Sequence, residues 1–81
     1  MNKLYLMIMD CHGDTYATEL GFSEMRPTQS EIDTAAKWFA ADVIIADEGE
    51  TLKLWIIIST DAGAARLGYG TCRTSAGYYN V

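Results

Sequence analysis

The chain has 81 residues, of which 49% are hydrophobic and 21% charged, and its formal net charge is −5. This length permits one domain, residues 1–81, with a single core, and the composition argues against intrinsic disorder. An acidic chain disfavours direct contact with nucleic acid or an anionic membrane, because phosphate binding depends on Lys and Arg.

The charge is unevenly distributed along the sequence. Residues 1–61 hold all eleven acids and four bases, a net charge of −7, whereas residues 62–81 hold only Arg66 and Arg73. Such an acidic body suits a partner with a basic surface, either a host protein or a ribonucleoprotein complex.

Nothing in the sequence resembles a targeting segment. The apolar run Leu4–Met9 is too short for a signal-peptide core or a membrane span, so we expect the protein in the cytoplasm of a host cell. Cys11 and Cys72 form neither a disulfide framework nor a zinc-binding spacing, and we expect free thiols.

The first predicted elements form a β-hairpin. Lys3–Cys11 and Thr15–Phe22 are predicted strands, and Gly13 in the turn between them can adopt positive φ. Residues of alternating polarity in the second strand indicate a position near a sheet edge. On this pattern, one face carries Tyr16, Thr18, Leu20 and Phe22.

A helix follows the hairpin. Thr28 and Glu31 have the spacing of a capping box, in which each side chain bonds the backbone of the other residue. Apolar residues then recur with helical periodicity, and the helix is expected to end near Ala41 or Asp42. The apolar stripe consists of Ile32, Ala35, Ala36, Phe39, Ala40 and Val43.

Two further strands are predicted after the helix. Val43–Ala46 is a short strand, residues 47–50 form an acidic turn, and Thr51–Thr60 is a long strand rich in branched residues. The order ββαββ predicts an α+β fold, an antiparallel-rich sheet with one helix packed on one face. The two most apolar strands, Lys3–Cys11 and Thr51–Thr60, should be central in the sheet.

The last twenty residues differ in character. Residues 61–81 form a Gly/Tyr-rich segment of uncertain placement. Tyr69–Thr74 could add a C-terminal strand, and Tyr78–Val81 could pair at a sheet edge.

Both faces of the predicted sheet are apolar. Trp55 and Ile57 alternate with four aliphatic residues of the same strand, and Tyr5 and Met7 alternate similarly in the first strand. The single helix covers one face only. The other face needs the last twenty residues, a twin subunit or a foreign protein, which favours a binding protein.

Acidic and aromatic residues are the candidate partner-binding residues. An exposed Trp is a frequent anchor of binding energy, and an acidic turn can dock on an arginine-lined groove. The ordinary alternatives are core-edge packing of the indole and a solvated turn. Tyrosines interleaved with arginines could bind RNA, but protein contact or edge pairing is preferred on an acidic chain. The candidates are Trp38, Asp47, Glu48, Glu50, Trp55, Tyr69, Arg73, Tyr78 and Tyr79.

No motif for catalysis, cofactor binding or metal binding stands out. Cys11 and His12 are adjacent, so an extended chain points them to opposite faces, and there is no second histidine. The segment Gly68-Tyr69-Gly70 lacks the third glycine of a dinucleotide-binding loop. We therefore expect a protein that is not an enzyme.

Two resemblances accompany this interpretation. The segment Tyr69–Thr74 with Gly77-Tyr78 resembles the C-terminal end of small phage anti-CRISPR proteins that inhibit type I systems. That resemblance implies a phage or mobile-element protein that binds a CRISPR surveillance complex. The front half, with Tyr16 on its second strand, is similar in layout to HicB-type antitoxins, although Gly21–Arg26 replaces their usual segment before the helix.

The sequence thus leads to a first and a second hypothesis. The first is a small acidic inhibitor that blocks a basic surface of a host nucleic-acid-handling complex. The second is a homodimeric antitoxin or assembly protein that buries the sheet face of Trp55 against itself.

Overall fold

Four strands and two helices make up the part of the chain that the computed structural model describes, residues 2–22 and 25–81. Along the chain these elements are β1 (Lys3–Met9), β2 (Thr15–Phe22), α1 (Gln29–Asp42), β3 (Thr51–Ser59), α2 (Ala62–Arg66) and β4 (Cys72–Asn80).

The strands form one antiparallel sheet in the order β2-β1-β3-β4. The predicted α+β fold is therefore confirmed, as is the central position of the two most apolar strands. The side chains of β1 and β3 are buried on both faces of the sheet, because α1 packs on one face and α2 on the other.

Helix α1 begins at the predicted capping box. The Glu31 amide donates to the Thr28 hydroxyl at 3.2 Å, and the Thr28 amide donates to the Glu31 carboxylate at 3.0 Å. The helix ends at Asp42, as its periodicity predicted. Its buried side chains pack on one face of the sheet, which we call the first face, against Leu6, Ile8, Leu52 and Leu54.

The second face of the sheet is largely covered by the chain's own C-terminal segment. Tyr5, Met7 and Ile57 are at most 4% exposed and form a second core with Ala65 of α2, while Trp55 is half-buried beside them. Of the three covers considered for this face, the structure therefore shows the chain's own C-terminal segment rather than a twin subunit or a foreign protein. Most of the apolar area that was expected to await a partner is already buried, which removes the basis for a Trp55-centred dimer.

Helix α2 was not predicted from the sequence. Asp61 caps it, accepting a hydrogen bond from the Ala64 amide at 2.8 Å. Five residues are too few to display helical periodicity, so only the capping aspartate and the following small residues could have indicated it.

The predicted strand Val43–Ala46 is wrong. The Ile44 amide donates to the Phe39 carbonyl at 2.7 Å, and the Ala46 amide donates to the Ala40 carbonyl at 2.9 Å. These bonds tie the segment to the end of α1, so it is unavailable to the sheet. The fourth strand is instead β4, which joins the two C-terminal strand segments that the sequence left separate.

Each edge strand of the sheet carries a β-bulge. The register shifts near Leu20 in β2 and near Ala76 in β4, and each is followed by a glycine at positive φ. Both bulged residues pack against the first-face core. The β2 bulge places Phe22 opposite Lys3, where it is exposed, so the prediction that Phe22 shares a face with Leu20 is wrong. Each bulge interrupts the edge locally, while Cys72–Ser75 of β4, which precede the bulge, keep a regular register.

Neither helix in the described part of the chain has the length and apolar character needed to cross a bilayer.

Candidate functional site

Two loops and the last residue of α1 bring six carboxylates to one end of the sheet. Residues 10–14 connect β1 to β2, and residues 43–50 connect α1 to β3. Met9 pairs with Lys53 where both loops meet the sheet. We call this end the acidic pole; its carboxylates are Asp10, Asp14, Asp42, Asp47, Glu48 and Glu50.

The acidic pole accounts for the whole net charge of the molecule. Its six carboxylates and Lys53 sum to −5, which equals the formal charge of the chain. The remaining five acids and five bases cancel, although Glu24 among them lies outside the described residues. A charge gathered at one end steers a cationic partner to that end during encounter.

Hydrogen bonds fix the loops of the acidic pole. One carboxylate oxygen of Asp10 accepts from the amides of His12 and Asp14 at 2.9 and 3.0 Å. A carboxylate oxygen of Glu50 accepts from the Asp47 amide at 3.2 Å. The backbone of Glu50 also accepts from the Val81 amide at 2.9 Å. The charges are thus displayed on ordered turns.

The pole concentrates negative potential on its neighbours. Desolvation by neighbouring protein atoms raises the pKa of the exposed Cys11 thiol, and the carboxylates of Glu50 and Asp10 raise it further. Partial burial likewise raises the pKa of the Tyr16 phenol, with Asp10 and Asp14 adding to the effect. The last turn of α1 holds no basic residue to offset Asp42 at the negative end of the helix dipole. The carboxylates of the pole therefore act electrostatically on neighbouring groups at this end of the molecule.

An exposed apolar side chain lies in the loop from α1 to β3, between Asp42 and Asp47 in the sequence. Ile45 is 78% exposed and holds φ at +54°, in the left-handed region that branched residues rarely adopt. Val43 beside it is also exposed. A strained, exposed isoleucine between carboxylates gives this surface an apolar contact point.

The structure does not gather all nine candidate residues on one surface. Asp47, Glu48 and Glu50 belong to the acidic pole. Trp38 is 54% exposed on α1 and packs edge-to-face on Phe39, with ring centroids 5.3 Å apart. Tyr69 is exposed in the loop after α2, and Tyr79 packs against the first-face core.

Trp55, Arg73 and Tyr78 lie together on the second face. The Arg73 guanidinium lies 5.2 Å from the Trp55 ring centroid. Tyr78 pairs with Lys53 two residues along β3 from Trp55, and it is 65% exposed. The nine candidates therefore fall on more than one surface, although Tyr78 and Tyr79 lie at the same end of the sheet as the acidic pole.

No metal or cofactor site is evident in the described residues. Within residues 2–22 and 25–81, no three His, Cys, Asp or Glu side chains are grouped to hold a metal ion. Cys11 and Cys72 are free and exposed, and they lie at opposite ends of the sheet.

Comparison of the chain with family models, with curated proteins and with solved structures returned no match. Its function must accordingly be inferred from its own residues.

Three residues of the acidic pole and its loops were not identified from the sequence. Asp10 and Asp14 were not among the candidate residues, because their proximity to Glu50 depends on the pairing of β1 with β3. Ile45 was assigned to a strand. Its flanking carboxylates were visible in the sequence, but its positive φ results from the way α1 ends.

Proposed function

We propose that this protein is a non-catalytic binding protein that inhibits a nucleic-acid-handling complex by occupying a basic surface with its acidic pole. The partner carries a groove or patch of Arg and Lys that otherwise holds nucleic-acid phosphates. Six carboxylates on ordered turns compete for those cations, and Ile45 with Val43 supplies the apolar contact.

The observation that carries the proposal is the coincidence of Ile45 with the entire net charge. Glycine or asparagine would relieve the strain at φ +54°, and a polar side chain would suit the solvent there. An exposed isoleucine at this position is unfavourable in the free protein, whereas in a complex it contributes buried apolar area.

The class of target follows from charge and from the resemblance described above. Complementary charge accelerates association mainly by steering, so an acidic pole suits an inhibitor that must outpace nucleic acid for the same surface. A phage or mobile-element inhibitor of a host CRISPR complex, small and cytoplasmic, meets these requirements.

Matched charge reversals test the proposal. Partners are captured from a bacterial host lysate, identified by mass spectrometry and purified, and association rates are then measured for two variants. Asp47→Lys alters the acidic pole, whereas Asp33→Lys makes the same charge change on the exposed side of α1. We expect Asp47→Lys to slow association about tenfold or more, and Asp33→Lys to have little effect.

Two further results are expected of a true target. Added salt should slow association, and nucleic acid should compete with the protein, because both require the same cations. Equal association rates for the two variants, or simultaneous binding of protein and nucleic acid, would refute the mechanism.

A further inference from the structure

A second surface, far from the acidic pole, has the features of a ligand site. A groove of about 230 Å³ lies on the first face, between the start of α1 and β4. Its floor is formed by Leu4, Ile32, Ile56 and Ile58, and Cys72 and Thr74 of β4 line its outer side. We call this the α1–β4 groove.

The floor of the groove is incompletely covered by the protein itself. Ile56 and Ile58 belong to the central strand β3 and pair with Thr74 and Cys72 of β4. Both isoleucines are nevertheless only half-buried, whereas Leu52 and Leu54 of the same strand face are fully buried beneath α1. The groove therefore offers apolar area to a side chain of a ligand.

Within residues 2–22 and 25–81, the charge that lines the groove is positive. Arg26 is the only charged residue among the described residues that line it. Glu31, the acid in the first turn of α1, bonds Thr28 in the capping box; it lines a neighbouring depression together with Arg26, but it does not line the groove. The amino-terminal, positive end of the α1 dipole lies at the same place. The groove thus suits a ligand that is apolar with one carboxylate.

The sheet edge beside the groove favours a peptide as the ligand. β4 is an edge strand, and its regular part, Cys72–Ser75, precedes the bulge. An extended peptide can pair with such an edge through its backbone. A peptide antiparallel to β4 runs toward the Cys72 end of the strand, which is the end where Arg26 lies, so its C-terminal carboxylate would arrive beside the guanidinium.

From these features we infer that the α1–β4 groove binds the C-terminal segment of another polypeptide, with an apolar terminal side chain on the isoleucine floor and the terminal carboxylate at Arg26. This site goes beyond the proposed function, because it lies at the opposite end of the sheet from the acidic pole. The two surfaces could hold two partners or two parts of one partner.

The two cysteines allow a direct test. Cys72 lines the groove, and Cys11 at the acidic pole serves as an internal control. The full chain is treated with N-ethylmaleimide, alone and with acetylated hexapeptides that end in Val, Leu, Ile or Phe. The labelling rate of each cysteine is followed by mass spectrometry. We expect free-acid peptides at millimolar concentration to slow labelling of Cys72 about tenfold and to leave Cys11 unaffected.

Further comparisons test the role of Arg26. C-terminal amides of the same peptides should protect Cys72 much less than the free acids. Arg26→Gln should abolish that difference, whereas Lys37→Gln, which removes one positive charge elsewhere on α1, should preserve it. Asp47→Lys should leave the protection unchanged, so that failure of the acidic-pole mechanism and failure of this site are distinguishable.

Several results would overturn the inference. One is the absence of protection by any peptide, and another is equal protection by acids and amides. Equal protection by a small apolar acid such as 4-methylpentanoate would show that no peptide is needed. Protection of Cys72 that grows with protein concentration alone would identify a second copy of this chain as the occupant.

Discussion

Arg73 and Trp55, which come from neighbouring strands, are in contact on the second face of the sheet. The guanidinium lies 5.2 Å from the indole centroid, and a methyl group added to Gly68 would lie 3.1 Å from an Arg73 nitrogen. Arg73 therefore bridges the loop after α2 and the indole. A side chain that the sequence marked for a partner has an intramolecular role.

Removal of Arg73 should expose Trp55. In a Trp38→Phe background, in which Trp55 is the only tryptophan, Arg73→Ala should shift the emission to the red. It should also lower the free energy of unfolding by about 0.5–1 kcal/mol, the usual size of such a contact. Lys37→Ala in the same background is the control, and an unchanged emission maximum in Arg73→Ala would contradict the assigned contact.

Gly70 allows the C-terminal segment to lie against the sheet. A methyl group at this position would overlap the carbonyl oxygen of Ile58 and lie 2.9 Å from Cγ2 of Ile57. Because the carbonyl belongs to a central strand, the clash cannot be relieved by a side-chain rotation. Gly70→Ala should therefore reduce stability by about 2 kcal/mol in urea unfolding.

Gly63→Ala is the matched control for Gly70. Its added methyl group would meet only the Asp61 carboxylate, at 3.2 Å, and alanine favours the helical backbone of α2. The change in stability should remain within roughly 1 kcal/mol. Similar losses for both variants would show that the close approach at Gly70 is not the cause.

Relief of the backbone at Ile45 should stabilise the protein and weaken its function. Ile45→Gly removes a strained branched residue from φ +54° and should raise the free energy of unfolding by about 1 kcal/mol. The same variant should bind the captured partner more weakly, because the exposed side chain is lost. Ile44→Gly should instead destabilise, since Ile44 packs against the first-face core. Unimpaired partner binding by Ile45→Gly would remove Ile45 from the docking surface.

The capping box should make stability depend on pH in the acid range. Hydrogen bonds from the Thr28 amide, and secondarily from its side chain, lower the pKa of Glu31 below its ordinary value. Ionised Glu31 therefore contributes to the stability of the folded protein above the pKa that Glu31 has in the unfolded chain. This contribution is lost as the pH falls through the lower pKa that Glu31 has in the folded protein. Measured by urea unfolding across that range, the free energy of unfolding should depend less on pH in Glu31→Gln than in the unmodified protein. Thr28→Val should keep most of the dependence because the backbone donor, the larger cause, remains.

Local signals predicted the elements that depend on neighbouring residues. Thr28 and Glu31 specify the start of α1 by themselves, and the branched run in β3 requires a buried strand. Ile45 and Ala62–Arg66 show where local reasoning fails. The positive φ of Ile45 depends on how α1 ends. Helix α2 gains its stability from Ala65, which packs on Tyr5 and Met7, rather than from its own periodicity.

The candidate surface was predictable only in part. The acids of residues 47–50 are contiguous and were identified. Asp10 and Asp14 join them only because β1 and β3 are neighbours in the sheet. Which strands pair in a sheet is difficult to predict from the sequence. Similarly, the bulge in β2 moved Phe22 to the other face, because one extra residue inverts the alternation of every residue that follows.

The placement of the net charge at the acidic pole, at one end of the sheet, gives the molecule an electric dipole moment. A positively charged surface therefore exerts a torque on it before contact. The molecule turns its carboxylate-bearing tip forward as it diffuses inward, and fewer collisions are wasted in unproductive orientations. At the same time its trailing end, where Arg26 lies, remains directed toward the solvent.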